Sequence, residues 1–198
     1  MGFFPAGPDS VAVGDLNGDG ADDIMVTNSD VDTVSVLFQS SAGTLPSAPS
    51  LTLATGSSPQ EGALGDLNHD GLNDVAVLNT LDGTVEVFFN DALTGLSTTA
   101  SLSLSPGVGS ESFAVGDLNG DGKDDIVVTN KDTGEAAIYI QDVDGITPEP
   151  NQRLPAGFSP DAQAIGDLNG DGRSDLAVSN DGEFGVPADD VIRIYLQE

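Results

Sequence analysis

Five oxygen-bearing side chains, Asp15, Asn17, Asp19, Asp22 and Asp23, crowd into nine residues of the stretch GDLNGDGADDIMVTN that begins at Gly14. Carboxylates gathered so closely repel one another unless a cation sits among them. Counted from Asp15, side-chain oxygens fall at positions 1, 3, 5 and 9. Position 6 is Gly20, where a sharp turn needs a residue free to adopt positive φ. Position 7, Ala21, can offer its backbone carbonyl. Hard oxygen donors in this number, wrapped by one short loop, suit calcium. Magnesium takes fewer protein ligands and keeps more water, and transition metals favour His or Cys. The predicted ligands are Asp15, Asn17, Asp19, Ala21 through its carbonyl, and Asp23.

The stretch returns three times, from Gly65, Gly116 and Gly166. The matching ligand sets are Asp66, Asn68, Asp70, Leu72 and Asp74; Asp117, Asn119, Asp121, Lys123 and Asp125; and Asp167, Asn169, Asp171, Arg173 and Asp175. A side chain that changes from Ala to Leu to Lys to Arg at position 7 is what a backbone-only ligand permits. Asp22 at position 8 is expected to point outwards, because Asn73 and Ser174 take its place in two copies. One such loop alone is as readily an acidic turn. Four in register, each between apolar strands, predict about four calcium ions, one per repeat. An EF-hand is excluded, since it needs flanking helices and a bidentate Glu at position 12. Position 12 here is Val26, Val77, Val128 and Val178. Dockerin-like loops run into helices and are excluded on the same ground.

The elements around the loops repeat with them. The opening glycines recur after 51, 51 and 50 residues, a spacing of solenoids, propellers or arrays. Within one period SVAVG (10–14), DIMVTN (23–28), TVSVLF (33–38) and SLTLATG (50–56) read as strands, separated by Gly, Pro, Asn and Asp. No segment carries a 3.6-residue apolar period with helix caps. The expected fold is all-β, a β-propeller of four repeated four-stranded blades forming a single domain over 1–198, with acidic loops at 15–23, 66–74, 117–125 and 167–175. A sandwich is the alternative, though it rarely needs such regular repetition. Ala12, Ala63, Ala114 and Ala164 suit an innermost strand. Val13, Leu64, Val115 and Ile165 are expected to point the other way, into the packing of the blade. The last repeat stops at its third strand, VIRIYLQE (191–198), while FFPAGPDS (3–10) resembles LPAGFSPDA (154–162), the end of a fourth strand. An N-terminal strand at residues 3–7 is therefore expected to complete the last blade. That closure makes either a four-bladed monomer or a ring-completing dimer of eight blades.

VAVGDLNGDGADDIMVTN and its three counterparts resemble the FG-GAP/VCBS repeats, related to the calcium-binding blades of integrin α-subunit propellers. The resemblance covers essentially the whole chain. No copy carries a literal Phe-Gly…Gly-Ala-Pro signature, so the VCBS-type variant is the closer match. The resemblance implies that the acidic loop joins the first and second strands of a blade and holds calcium. It implies an extracellular or cell-surface protein used in adhesion or in binding sugars. Seven blades are common in such proteins, against four here.

Composition narrows the remaining roles. With 33 acidic residues against 5 basic ones the formal charge is −28. A nucleic-acid partner would need a basic footprint, and an anionic membrane surface would repel the chain. Cations are the natural partners. Ligand carboxylates account for 12 of the acidic residues, and four bound calcium ions would leave a charge of about −20, a surplus that suits a high-salt setting. The absence of cysteine removes thiolate sites and disulfides. The opening MGFFPAGPDS shows no basic region followed by a long apolar run, so no signal peptide is expected in this chain, and no apolar run approaches a membrane span.

Catalysis would need a nucleophile with a base, paired acids, or an open metal. The sole histidine, His69, stands where the other loops have glycine. Asp30, Asp32, Asp82, Asp132, Asp181 and Asp189 read as turn formers between second and third strands. The chain is therefore expected to be no enzyme. Three roles stay open: an adhesion or protein-interaction module, a lectin-like glycan binder, and a structural repeat, or an excised or engineered propeller fragment, whose only activity is calcium binding. The irregular loop NDGEFGVPADD (180–190) with Phe184 is the candidate contact. Aromatic platforms are scarce, since there is no Trp and both Tyr139 and Tyr195 fall in strands.

Overall fold

The computed structural model describes residues 7–182 and 191–197. It contains fifteen strands and a single 3₁₀ turn, Ser29–Val31, among these residues. The first sheet runs β1 (Pro8–Gly14), β2 (Asp23–Asn28), β3 (Thr33–Leu37), β4 (Leu51–Ala54). The second runs β5 (Pro59–Gly65), β6 (Asp74–Asn79), β7 (Thr84–Phe88), β8 (Leu102–Leu104). The third runs β9 (Ser110–Gly116), β10 (Asp125–Asn130), β11 (Glu135–Tyr139), β12 (Gln152–Pro155). The fourth holds β13 (Pro160–Gly166), β14 (Asp175–Asn180) and β15 (Ile192–Tyr195). Each sheet is an antiparallel meander in chain order, the make-up of a propeller blade. The fourth sheet has three strands among the described residues. The strand expected at 3–7 falls, but for Gly7, outside them, as does Phe184.

The chain divides into two compact units, Met1–Ser103 and Leu104–Glu198. Within each unit two blades stack face to face, and the middle strands β2, β6 and β10 are buried along almost their whole length. That is why β2, β6 and β10 carry near-continuous apolar runs rather than alternation. In the first unit Ala12, Met25, Val34, Val36 and Leu53 of the first blade meet Leu64, Val75, Val77 and Phe88 of the second. In the second unit Ala114, Val127, Ala136 and Ile138 meet Ile165, Leu176, Val178 and Tyr195. In each unit the first blade thus offers a trailing face to the second, and the second presses on it with a leading face.

This arrangement corrects the reading of the first strands. Ala12 and Ala114 pack within the blade stacks, on the trailing side. Leu64 and Ile165 pack as expected, on the leading side. Val13, at the same position in the first blade, is 61% exposed. Identical register does not give identical burial, because a leading face is covered only when another blade precedes it.

Candidate metal centres

Each acidic loop closes a tight strand connection. Gly14 pairs with Asp23, Gly65 with Asp74, Gly116 with Asp125 and Gly166 with Asp175. Residues 15–22 and their counterparts must therefore reverse the chain in eight residues, and the side-chain oxygens make this possible. The Asp15 carboxylate accepts the N–H groups of Gly18 at 2.7 Å and Gly20 at 2.8 Å. Asn17 Oδ1 accepts from Asp19 N–H, and Asp19 Oδ1 from Ala21 N–H. The other loops repeat the pattern: Asp66, Asp117 and Asp167 each accept from the position-6 glycine, at 2.8, 2.8 and 2.9 Å. Asp70, Asp121 and Asp171 each accept from the position-7 N–H of Leu72, Lys123 and Arg173. Position-6 glycines hold φ between +82° and +88° with open space where a Cβ would stand. Backbone conformation, not crowding, demands glycine there. His69 adopts φ +60°, the left-handed conformation of Gly18, Gly120 and Gly170.

The position-9 aspartates differ from the rest. Asp23, Asp74, Asp125 and Asp175 are buried, and both oxygens of each accept backbone N–H groups. One oxygen takes the position-2 N–H of Leu16, Leu67, Leu118 or Leu168, in every case at 2.9 Å. The other takes the N–H of Gln39, Asn90, Gln141 or Gln197, at 2.7 to 2.9 Å. The carboxylate clamps its loop to the end of the third strand. Burial pushes Asp74 up to about 7, against the pull of the Asn90 and Leu67 N–H groups, and the charges of Asp70 and Asp66 push the same way. Asp125 is raised to about 6 by burial, with Asp121 and Asp117 adding. Asp15 and Asp167, at position 1, move in the opposite direction. Burial raises Asp15, yet the N–H groups of Gly20 and Gly18 outweigh it and hold its carboxyl below the usual range. The N–H groups of Gly172 and Gly170 do the same for Asp167.

Sequence reasoning passed over the amide residues that follow each third strand. Gln39 Nε2 donates to Asp22 O at 2.6 Å, and Gln141 Nε2 to Asp124 O at 3.0 Å. Asn90 is buried and its Nδ2 donates to Leu16 O of the first loop and Asn73 O of its own. Asn73 Nδ2 in turn donates to Asp15 O. The two loops of the first unit are thereby tied together. The signal was legible as LFQ, FFN, YIQ and YLQ at one place in each repeat. Turn aspartates behave as structural latches: Asp32 accepts Ser58 N–H and Asp82 accepts Ser57 N–H.

Every predicted ligand thus lies on its loop as the spacing requires, and Asp22 is exposed. Among the described residues no group of three or more Asp, Glu, His or Cys side chains converges as tightly as a metal ion requires. The loop oxygens are turned to backbone N–H groups instead. A carboxylate has about four lone-pair sites, so the two backbone bonds at each position-9 aspartate leave acceptor capacity there. The donor set, all oxygen and mostly anionic, fits a hard divalent cation.

A model of the FG-GAP-like repeat matches residues 15–77, 66–128 and 117–178, each match running from one acidic loop into the second strand of the next blade. The chain belongs to the FG-GAP-like repeat family. The FG-GAP-like chain is also similar in fold to solved structures. BBS1N in complex with ARL6DN, from a crystal soaked with lead, is 14% identical with a TM-score of 0.61, covering 88% of this chain and 52% of that one. A functionally unknown protein from Desulfotomaculum acetoxidans DSM 771 is 15% identical with a TM-score of 0.60, covering 98% and 63%. A protein from Lactobacillus plantarum is 20% identical with a TM-score of 0.58, covering 96% and 57%. The FG-GAP-like chain therefore spans between half and two thirds of the length of these structures. No curated protein matches it.

Proposed function

We propose that this chain is a calcium-binding propeller module that catalyses no reaction and serves extracellular adhesion or recognition of a protein or glycan. The observation that carries the reading is the state of the position-9 aspartates. Asp74 and Asp125 are buried beside two further carboxylates of their own loops, and their ionisation is opposed. A cation held by the loop oxygens would remove that opposition. Asp15, Asn17, Asp19, Asp23 and the Ala21 carbonyl would hold it in the first loop, and the matching residues in the other three. Bound calcium would supply charge neutralisation and loop stiffness; the chain's own residues supply the clamps that fix each loop to two strands. Among the described residues no helix is long and apolar enough to cross a membrane.

Isothermal titration of chelator-treated protein tests the reading. Calcium should bind at about four sites, and magnesium weakly. Absence of calcium binding at millimolar concentration would refute it. Glycan arrays and pull-down from extracellular extracts separate a lectin from a protein-interaction module, and silence in both leaves a structural repeat.

A further inference from the structure

One sheet face breaks the pattern set by the rest. Positions paired across the second and third strands on the trailing side are Val34 and Val36, Val85 and Val87, and Ala136 and Ile138 in the first three blades, all 8% exposed or less. Their counterparts in the fourth blade are Ile192 and Ile194, 70% and 55% exposed. Leu168, the position-2 residue of the fourth loop, is 54% exposed where Leu16 and Leu67 are buried. Ala162, Ala164, Ala177 and Ser179 complete this face, which lines a shallow groove. Among the described residues it bears no charged side chain, in a protein with 33 acidic residues. A neutral, apolar sheet face of this kind marks an interaction site.

We infer that it docks a second copy of this chain, through the leading face of that copy's first blade. Val11 and Val13 are 64% and 61% exposed there. By register they are the counterparts of Gly62 and Leu64, and of Gln163 and Ile165, which press on the preceding blade in each unit. The chemistry of each pair is matched. Gly62 N–H donates to Ser10 Oγ across the first stack. Gln163 Nε2 donates to Ser112 Oγ, and Gln163 Oε1 accepts from Thr129 Oγ1, across the second. In the fourth blade Ala162 stands where Ser10 and Ser112 do. An apolar partner is needed opposite it, and Val11 is the apolar residue at that position. The interface proposed is a repetition of one the chain already makes twice.

Sedimentation velocity of the full chain, in calcium and at high salt to screen the repulsion between chains of charge −28, tests this. The expected species has at least twice the mass of one chain, and association should weaken at low salt. The double variant Ile192→Asp/Ile194→Asp should sediment as a single chain, as should Val11→Asp, each with the circular dichroism of the parent. Mixed together, the two variants should recover a dimer, because each retains the face the other has lost. A parent that sediments as one chain at every concentration overturns the inference. So does a Val11→Asp variant that still self-associates, since the fourth-blade face would then be pairing with itself.

Discussion

At the residue scale, the loops assign different work to aspartates of identical type. Position-1 carboxylates accept glycine N–H bonds, which hold Asp15 and Asp167 below the usual carboxylate range. Position-9 carboxylates are buried and clamp two strands, and in Asp74 and Asp125 burial opposes ionisation unless a cation compensates. A group whose folded pKa lies above its unfolded value of about 3.9 contributes stability at low pH that is lost as pH rises through the folded pKa. Asp74 at about 7 and Asp125 at about 6 therefore predict that the chelated protein melts several degrees lower at pH 8 than at pH 5. In saturating calcium this trend should reverse, because binding needs ionised ligands. Thermal melts over that pH range, with calcium and with chelator, check the sign. Asp19→Ala should remove one calcium site from the titration, while Asp22→Ala should leave all sites occupied. Equal losses in the two variants would contradict the position assignment. The spacing of the loop oxygens was legible because side-chain oxygens at fixed offsets appear directly in the sequence; pKa values were not, because they depend on burial that three-dimensional packing supplies.

At the element scale, the second strand of each blade was legible to the residue, while the first strand begins two residues earlier than expected and the fourth spans 51–54 rather than 50–56. DIMVTN coincides with β2, and each of its counterparts with β6, β10 and β14. Turn residues bound every strand, and buried β-branched runs leave few other ways to satisfy the backbone. The amide clamp after each third strand escaped notice because an Asn or Gln at a strand end looks like ordinary loop chemistry. Its role emerges only when the β2–β3 pairing brings residue 39 back to residue 23. Asn90→Ala should cost about 1–3 kcal/mol, the usual cost of leaving buried acceptors unpaired, by removing the donors to Leu16 O and Asn73 O. Chemical denaturation measures it. A second consequence follows in the same variant: calcium affinity of the first two loops should fall, and that of the third and fourth should not.

At the scale of the whole molecule, repetition made the blades predictable but hid the differences between them. Val13 and Ile194 look like their counterparts in sequence, yet they are exposed because no described blade covers them. Position in the repeat order, not residue type, decides that. The same repetition multiplies the proposed effect of calcium. Extracellular calcium modules bind at about 10⁻⁴–10⁻³ M, and calcium tenfold above such a constant stabilises by roughly 1.4 kcal/mol per site. Four independent sites would contribute roughly 6 kcal/mol, comparable with the roughly 5–15 kcal/mol that holds a typical domain together. Differential scanning calorimetry with millimolar calcium and then with excess EDTA is the most direct measurement. The melting temperature should be lower by at least about 10 °C in EDTA, restored by calcium and poorly by magnesium. A melting temperature unchanged by EDTA would contradict the proposed effect of calcium.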